Sequence, residues 1–291
     1  MGETDTTVSD LIRGRLESLT RAERQLALSI LDGYPASGLG PLAALAEAAE
    51  VSVPTVARTV QKLGFGGYGE FQAALREELK ATARGPVAKH DVWAEAAPSG
   101  HVLNRFADAV LENIRLTLAG IDPGEFDRAT AMIGDAGHRL HVVGGRITHT
   151  LAEYMFLQMQ VVRPGVIRIE TTSNTWPHTL LDAEAGDVFC IFDVRRYEAN
   201  TLKLAETARA RGGRIVLFTD QWRSPVHGLA EISFASRIVA PSAWDSMVAP
   251  MLLLETLIAA AQNHDWDGTK DRMERLEEMF DRTGLFRKFG P

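Results

Sequence analysis

Two groups of residues have the types and spacing to do chemistry. The first is Ser52, Thr55, Arg58, Thr59, Gln61 and Lys62. Within it Thr55, Arg58, Thr59 and Lys62 fall at i, i+3, i+4 and i+7, the spacing of one helix face. Arginine and lysine can reach guanine or phosphate, and threonine and glutamine can reach base edges or backbone, so this face could read a duplex. The second group is Gly144, Gly145, Arg146 and Thr148, then Asp193, Arg195 and Arg196, with Ser242 further on. Small residues and arginines that follow apolar runs could hold an anion. Arg195 and Arg196 could clamp a carboxylate or phosphate in bidentate fashion, or Asp193 could pair with one of them and stiffen the loop, or accept from a hydroxyl. Arg146 could be a further anion contact or fill the space a ligand would occupy. Ser242, with Asp245 and Ser246, could line the same crevice, and Ser242 could equally be a helix cap.

The elements that must position these residues differ along the chain. Up to about Lys80 every apolar pattern has helical period. Thr20-Arg21-Ala22-Glu23 has capping-box spacing and opens a helix through Leu26, Ile30 and Leu31. Thr20 and Arg21 could also touch phosphate at that helix start. Leu42, Leu45, Ala46 and Ala49 form a second stripe, and Ser52 caps a third helix with Pro54 in its first turn and Val56, Val60 and Leu63 facing inward. Helix, tight turn and a polar, basic second helix form the helix-turn-helix pattern, or else an amphipathic hairpin with a solvated face.

From 139 to about 234, short apolar runs alternate with helical segments. Strands are expected at 140–143, 166–169, 188–192, 215–218 and 232–234, with helices at 148–161, 174–181 and 197–211 between the first four. Near-continuous apolar strands joined by helices predict a doubly wound, five-stranded parallel sheet. Asp122-Pro123-Gly124-Glu125 starts a helix before the sheet, and helices at 242–261 and 266–279 follow it. The Pro- and Gly-containing stretch 82–100 reads as an irregular hinge. The expected fold class is an all-α helix-turn-helix domain at 1–80, a linker at 81–104 and an α/β domain at 105–291.

The chain has 291 residues, about two domains' worth. Its 31 basic and 38 acidic residues give a net charge of −7, so any nucleic-acid binding must come from a local patch. The single cysteine, Cys190, lies in an apolar run and is expected in the core; it excludes a disulfide framework and a Cys-based zinc site. His138 and His141 lack zinc-ligand spacing, and His178 is expected in a loop, with a ligand contact the alternative. The acidic, polar N-terminus has no secretory pattern. The apolar run 247–260 holds Pro250 and Glu255, so it reads as a buried helix rather than a span. Leu252, Leu253, Leu254 and Leu257 in it are core or dimer interface. A soluble, cytoplasmic protein without cofactor or metal is expected.

The run Leu45-Ala46-Glu47-Ala48-Ala49-Glu50-Val51-Ser52-Val53-Pro54-Thr55-Val56-Ala57-Arg58, followed by Leu63-Gly64-Phe65-Gly66-Gly67-Tyr68, resembles the N-terminal domain of RpiR/MurR-type bacterial transcriptional regulators. Glu50 departs from the glycine often found in that turn, where a left-handed backbone would cost about 1 kcal/mol. Residues 105–265 resemble the sugar-isomerase (SIS) domain of the same regulators, through Val142-Val143-Gly144-Gly145, Gly186-Asp187-Val188, Arg211-Gly212-Gly213-Arg214-Ile215 and Phe218-Thr219-Asp220 with Ser224-Pro225. The resemblance implies DNA binding as a dimer or larger homo-oligomer, and a phosphosugar-type effector at the carboxyl ends of the strands.

Two departures modify that implication. The G-x-G-x-S loop after the first strand reads Gly144-Gly145-Arg146-Ile147-Thr148, and the S-x-S-G-x-T stretch after the third reads Phe192-Asp193-Val194-Arg195-Arg196-Tyr197. A phosphate cradle needs small residues and hydroxyls that close on the anion. The expectation is therefore a regulator that binds an operator in double-stranded DNA and senses a small anionic metabolite, a carbohydrate derivative or another acid, without the usual Ser/Gly phosphate loop. The alternatives are a sugar-phosphate isomerase, for which Glu153 and Glu170 are the available carboxylates near the sheet, and a DNA-binding protein whose sheet domain only dimerises.

Overall fold

The computed structural model describes residues 6–95, 100–170 and 175–286. Five helices build the N-terminal unit: α1 (Val8–Arg13), α2 (Arg21–Asp32), α3 (Leu42–Ala48), α4 (Val53–Lys62) and α5 (Tyr68–Ala83). Ile12, Leu26, Ile30, Val56, Val60, Phe71 and Leu75 meet at its centre with no exposed surface. Glu23 accepts from the Thr20 amide at 2.9 Å, as the capping-box spacing predicts. The turn between α3 and α4 carries Glu50 at φ 52°, the left-handed conformation expected to be costly for that residue.

The stretch expected to be irregular is helical over α6 (Pro86–Glu95). Its apolar residues have no helical period, so no pattern announced it; Pro86 supplies the first-turn position that proline favours. An ion pair ties it to the sheet domain: the Lys89 ammonium lies buried 2.6 Å from Asp245. The edges of the expected 81–104 segment fall beside or inside helices, since α5 ends at Ala83 and α7 (Val102–Ala119) begins at Val102.

After α7 and α8 (Pro123–Gly134) come β1 (Leu140–Gly144), α9 (His149–Val162), β2 (Val166–Glu170), α10 (Trp176–Leu181), β3 (Val188–Phe192), α11 (Ala199–Ala210), β4 (Arg214–Asp220) and β5 (Ile232–Ser236). The chain ends with α12 (Val248–His264) and α13 (Trp266–Thr283). The five strands are parallel, in the order β2-β1-β3-β4-β5. Alternation divides their side chains between two cores: Val142, Cys190, Val216 and Phe234 face α8, α9 and α12, while Val143, Ile191 and Leu217 face α10 and α11. Cys190 is fully buried, as expected. Asn174, expected to open α10, lies outside the described residues.

The helix after the sheet starts six residues later than 242. Pro250 explains the shift. A helix from 242 would bury proline in its interior and lose the bond to residue 246, whereas a start at Val248 leaves Pro250 in the first turn. Residues 241–246 therefore form an irregular arm across the strand ends, anchored by Ser246 N donating to Ile238 O at 2.8 Å.

Candidate functional site

On α4, Ser52, Arg58, Gln61 and Lys62 are exposed, and Thr55 is half-buried. Ser52 caps the helix, accepting from Thr55 N at 3.3 Å. Thr59 is a correction: it is wholly buried, and its hydroxyl donates to Thr55 O at 2.8 Å. Its neighbours Val56 and Val60 turn inward and take Thr59 with them, so the outward face runs through Pro54, Arg58 and Gln61. Lys62 is tied at 2.7 Å to Glu23 of α2, whose carboxyl is held below its ordinary range chiefly by that hydrogen bond. Val53 and Pro54, exposed at the start of α4, were missed by the sequence reading because apolar residues carry no polar mark. Apolar groups there suit contact with thymine methyls.

The strand order reverses between β1 and β3, and doubly wound sheets bind ligands at such a switch point, beyond the strand carboxyl ends. A cavity of about 360 Å³ opens there. Gly145, Arg146 and Thr148 line it from the loop after β1, and Asp193, Arg195, Arg196 and Glu198 from the loop after β3. Pro86 of α6 and Trp244 of the irregular arm complete its wall.

Each expected residue has a distinct place. Gly144 lies beneath the loop, where a Cβ would come 2.5 Å from Thr148 O, so only glycine fits. The Thr148 hydroxyl accepts from Gly145 N at 2.8 Å and donates to Phe192 O at 2.7 Å, so it ties the loop to β3 and is spent inside the protein. Arg146 is exposed at the rim, and its amide donates to Glu198 at 2.7 Å. Ser242 is not brought to the cavity; its hydroxyl accepts from Trp244 N at 3.1 Å, a cap to the arm rather than to a helix.

The ion pair anticipated between Asp193 and an arginine does not form. Asp193 is buried and accepts from the Ser224 hydroxyl, and burial pushes its carboxyl up to about 6. The Arg195 guanidinium stacks 4.0 Å from the Trp222 ring, and its Nε lies 3.6 Å from Asp245. Arg196 is exposed and left-handed at φ 61°. The two arginines thus have different surroundings, one buried against an aromatic face and one open to solvent.

Asp220, quoted only for its motif, organises this loop. It accepts from Arg195 N at 2.6 Å, from the Tyr197 hydroxyl at 2.8 Å and from Trp222 N at 2.9 Å. Burial raises its carboxyl and, as the largest cause, that of the Tyr197 phenol too. A buried acceptor at the end of β4 thus ties the β3 loop to the neighbouring strand.

Glu153 and Glu170 are both paired with Arg168 on β2, outside the cavity lining. His141 stacks on Phe189 and lies 3.2 Å from Asp187, a buried structural pair whose imidazole burial keeps below its ordinary value. His178 is exposed on α10 rather than in a loop. Among the described residues no group of three or more His, Cys, Asp or Glu could hold a metal ion, and no helix is long and apolar enough to cross a membrane.

A helix-turn-helix unit with a basic outer helix, joined to a parallel α/β domain with a polar cavity at its switch point, defines the class of two-domain bacterial-type transcriptional regulators. Residues 6–82 match the helix-turn-helix domain of the rpiR family, and residues 132–260 match the SIS domain. Together these matches span more than half of the chain, and it belongs to the rpiR family of helix-turn-helix regulators that carry a SIS domain. The chain is 25% identical over 215 residues to the HTH-type transcriptional regulator HexR of Pseudomonas aeruginosa, covering 72% of this chain and 71% of that one. It shares its fold with the sugar isomerase domain of an RpiR transcription factor from Sphaerobacter thermophilus, at 20% identity and TM-score 0.56, over 60% of this chain and 97% of that one. It also shares its fold with the NanR protein of Vibrio vulnificus complexed with ManNAc-6P, at 17% identity and TM-score 0.54, over 95% and 99% of the two chains.

Proposed function

We propose that this regulator binds its operator in double-stranded DNA as a homodimer or larger homo-oligomer and senses a small anionic metabolite in the cavity between the β1 and β3 loops. One observation carries the reading: a single cavity wall combines Arg146, Arg195 and Arg196 with Pro86 of the helix that joins the two domains. An anion at Arg195 competes for the guanidinium that now faces Asp245, and Asp245 in turn holds Lys89 of that helix. Occupancy therefore bears on how the reader unit is carried, which is what allostery requires: a ligand that prefers one arrangement by about 1–3 kcal/mol. NanR, of the same fold, is complexed with a phosphosugar, ManNAc-6P. In this chain Phe192 and Val194 offer no hydroxyl to close on a phosphate. The effector that fits is an acid other than a phosphosugar. No cofactor takes part, and the protein acts in the cytoplasm, where the operator is.

The isomerase alternative needs a base beside the substrate carbon. Glu153 and Glu170 are committed to Arg168, so the reading is of a regulator without catalysis. The test is an electrophoretic shift with DNA from upstream of the protein's own gene, titrated with a panel of hydroxy acids and sugar phosphates. A shift that an acid modulates and Arg58→Ala clearly weakens supports the reading. No shift with wild-type protein, or turnover of a sugar phosphate, overturns it.

A further inference from the structure

We propose that Glu198 is a built-in occupant of the cavity's anion seat, so that the β1 loop is closed to phosphate esters and an effector must place its anionic group on the arginine side. The inference rests on reading this cavity as the effector site.

The seat is defined by backbone. Gly145 and Arg146 lead into α9, a helix of 14 residues, where the helix dipole and the outward amide of Arg146 favour a negative group. Glu198 supplies that group from the opposite loop. Its Oε1 accepts from Arg146 N at 2.7 Å. The same oxygen lies 2.8 Å from where a Cβ on Gly145 would stand, so the carboxylate rests on the bare glycine backbone as a bound anion would. The carboxylate lines the cavity and carries its charge into it.

A second observation points to a ligand elsewhere in the same cavity. The Arg195 side chain is only 6% exposed and lines the cavity, yet its Nε makes no hydrogen bond; Asp245 stands 3.6 Å away. A buried guanidinium with an unused donor is costly unless something else receives it. The cavity is thus polarised, with a carboxylate over the glycine loop and guanidinium groups across from it. A hydroxy acid matches that polarity: its carboxylate takes Arg195 and Arg196, and a hydroxyl donates to Glu198. A phosphate placed on the loop would meet Glu198 instead.

The experiment measures binding of inorganic phosphate and of a hexose 6-phosphate by isothermal titration calorimetry. It compares wild-type protein with Glu198→Ala and Glu198→Gln. Glu198→Ala empties the seat and is expected to bind both probes at least tenfold more tightly than wild type. Glu198→Gln keeps the acceptor for Arg146 N and the shape of the loop while it removes the charge, and a smaller gain is expected. It reports even if the alanine variant does not fold. Equal binding by wild type and both variants overturns the proposal, as does failure of every folded variant to bind either probe. Those failures leave the shift of operator DNA and its weakening in Arg58→Ala untouched, so they are separable from a failure of the regulatory reading.

Discussion

At the scale of single residues, burial decides what each polar group can do. Arg58 is exposed on α4 while Thr59 beside it is wholly buried. Arg58→Ala is expected to weaken operator binding by about 1–3 kcal/mol. Thr59→Val is expected to leave affinity within about threefold, a gap that quantitative shifts on the same DNA would measure. Asp193 makes a pH prediction. Its folded carboxyl titrates at about 6 against an ordinary value of 3.8, so the protonated form suits the fold better. The stability this brings is complete below about pH 4 and is lost as pH rises through about 6, amounting to about 3 kcal/mol. Asp193→Asn is expected to flatten that portion of the melting profile between pH 4 and 7; an unchanged difference across that window would refute it. Glu50 sits in a left-handed turn, so Glu50→Gly is expected to raise stability by up to about 1 kcal/mol, read from denaturant midpoints.

At the scale of elements, the strands and the reader helices were legible because burial on both faces of a sheet, or on one face of a helix, leaves a periodic trace. Strands β1 to β5 match their expected positions to within about two residues at each end. Helix α6 left no such trace; its apolar residues have no helical period, and the buried Lys89–Asp245 ion pair ties it to the sheet domain. The late start of α12 was hidden for a related reason: Pro250 limits where a helix can begin, but the arm of 241–246 is set by tertiary packing. In the cavity, the residue types of both loops were readable, whereas their division of labour was not. Thr148 was a candidate ligand contact and is a strut, because its distance to Phe192 O depends on a neighbouring strand 44 residues on. Thr148→Val strands the Gly145 amide and frees the loop, and is expected to cost about 1–3 kcal/mol. Thermal unfolding would register this as a drop of several degrees, and a change within error would contradict the strut.

At the scale of the whole molecule, ion pairs join the reader unit and its connecting helix to the sheet domain. Arg237 pairs with Asp10 of α1, and Lys89 of α6 pairs with Asp245. Lys89→Met is expected to keep operator affinity within about threefold while it abolishes the response to the acid that modulates wild type. Retention of the full response would remove α6 from the path between the sites. With a net charge of −7 and few cations on the proposed reading face, few phosphates are neutralised per protomer, so log affinity is expected to fall only shallowly with log salt, by about 0.9 per phosphate contact.

Asp245 touches both the lysine of the connecting helix and the arginine of the cavity. On the proposed reading, one acidic side chain would be the hinge pin between what the protein tastes and how it stands on its target. A descendant that adapts the cavity to a new compound by replacing Arg195 would also retune the stance of its DNA-gripping half. Palate and posture in such a lineage would have to evolve as a pair.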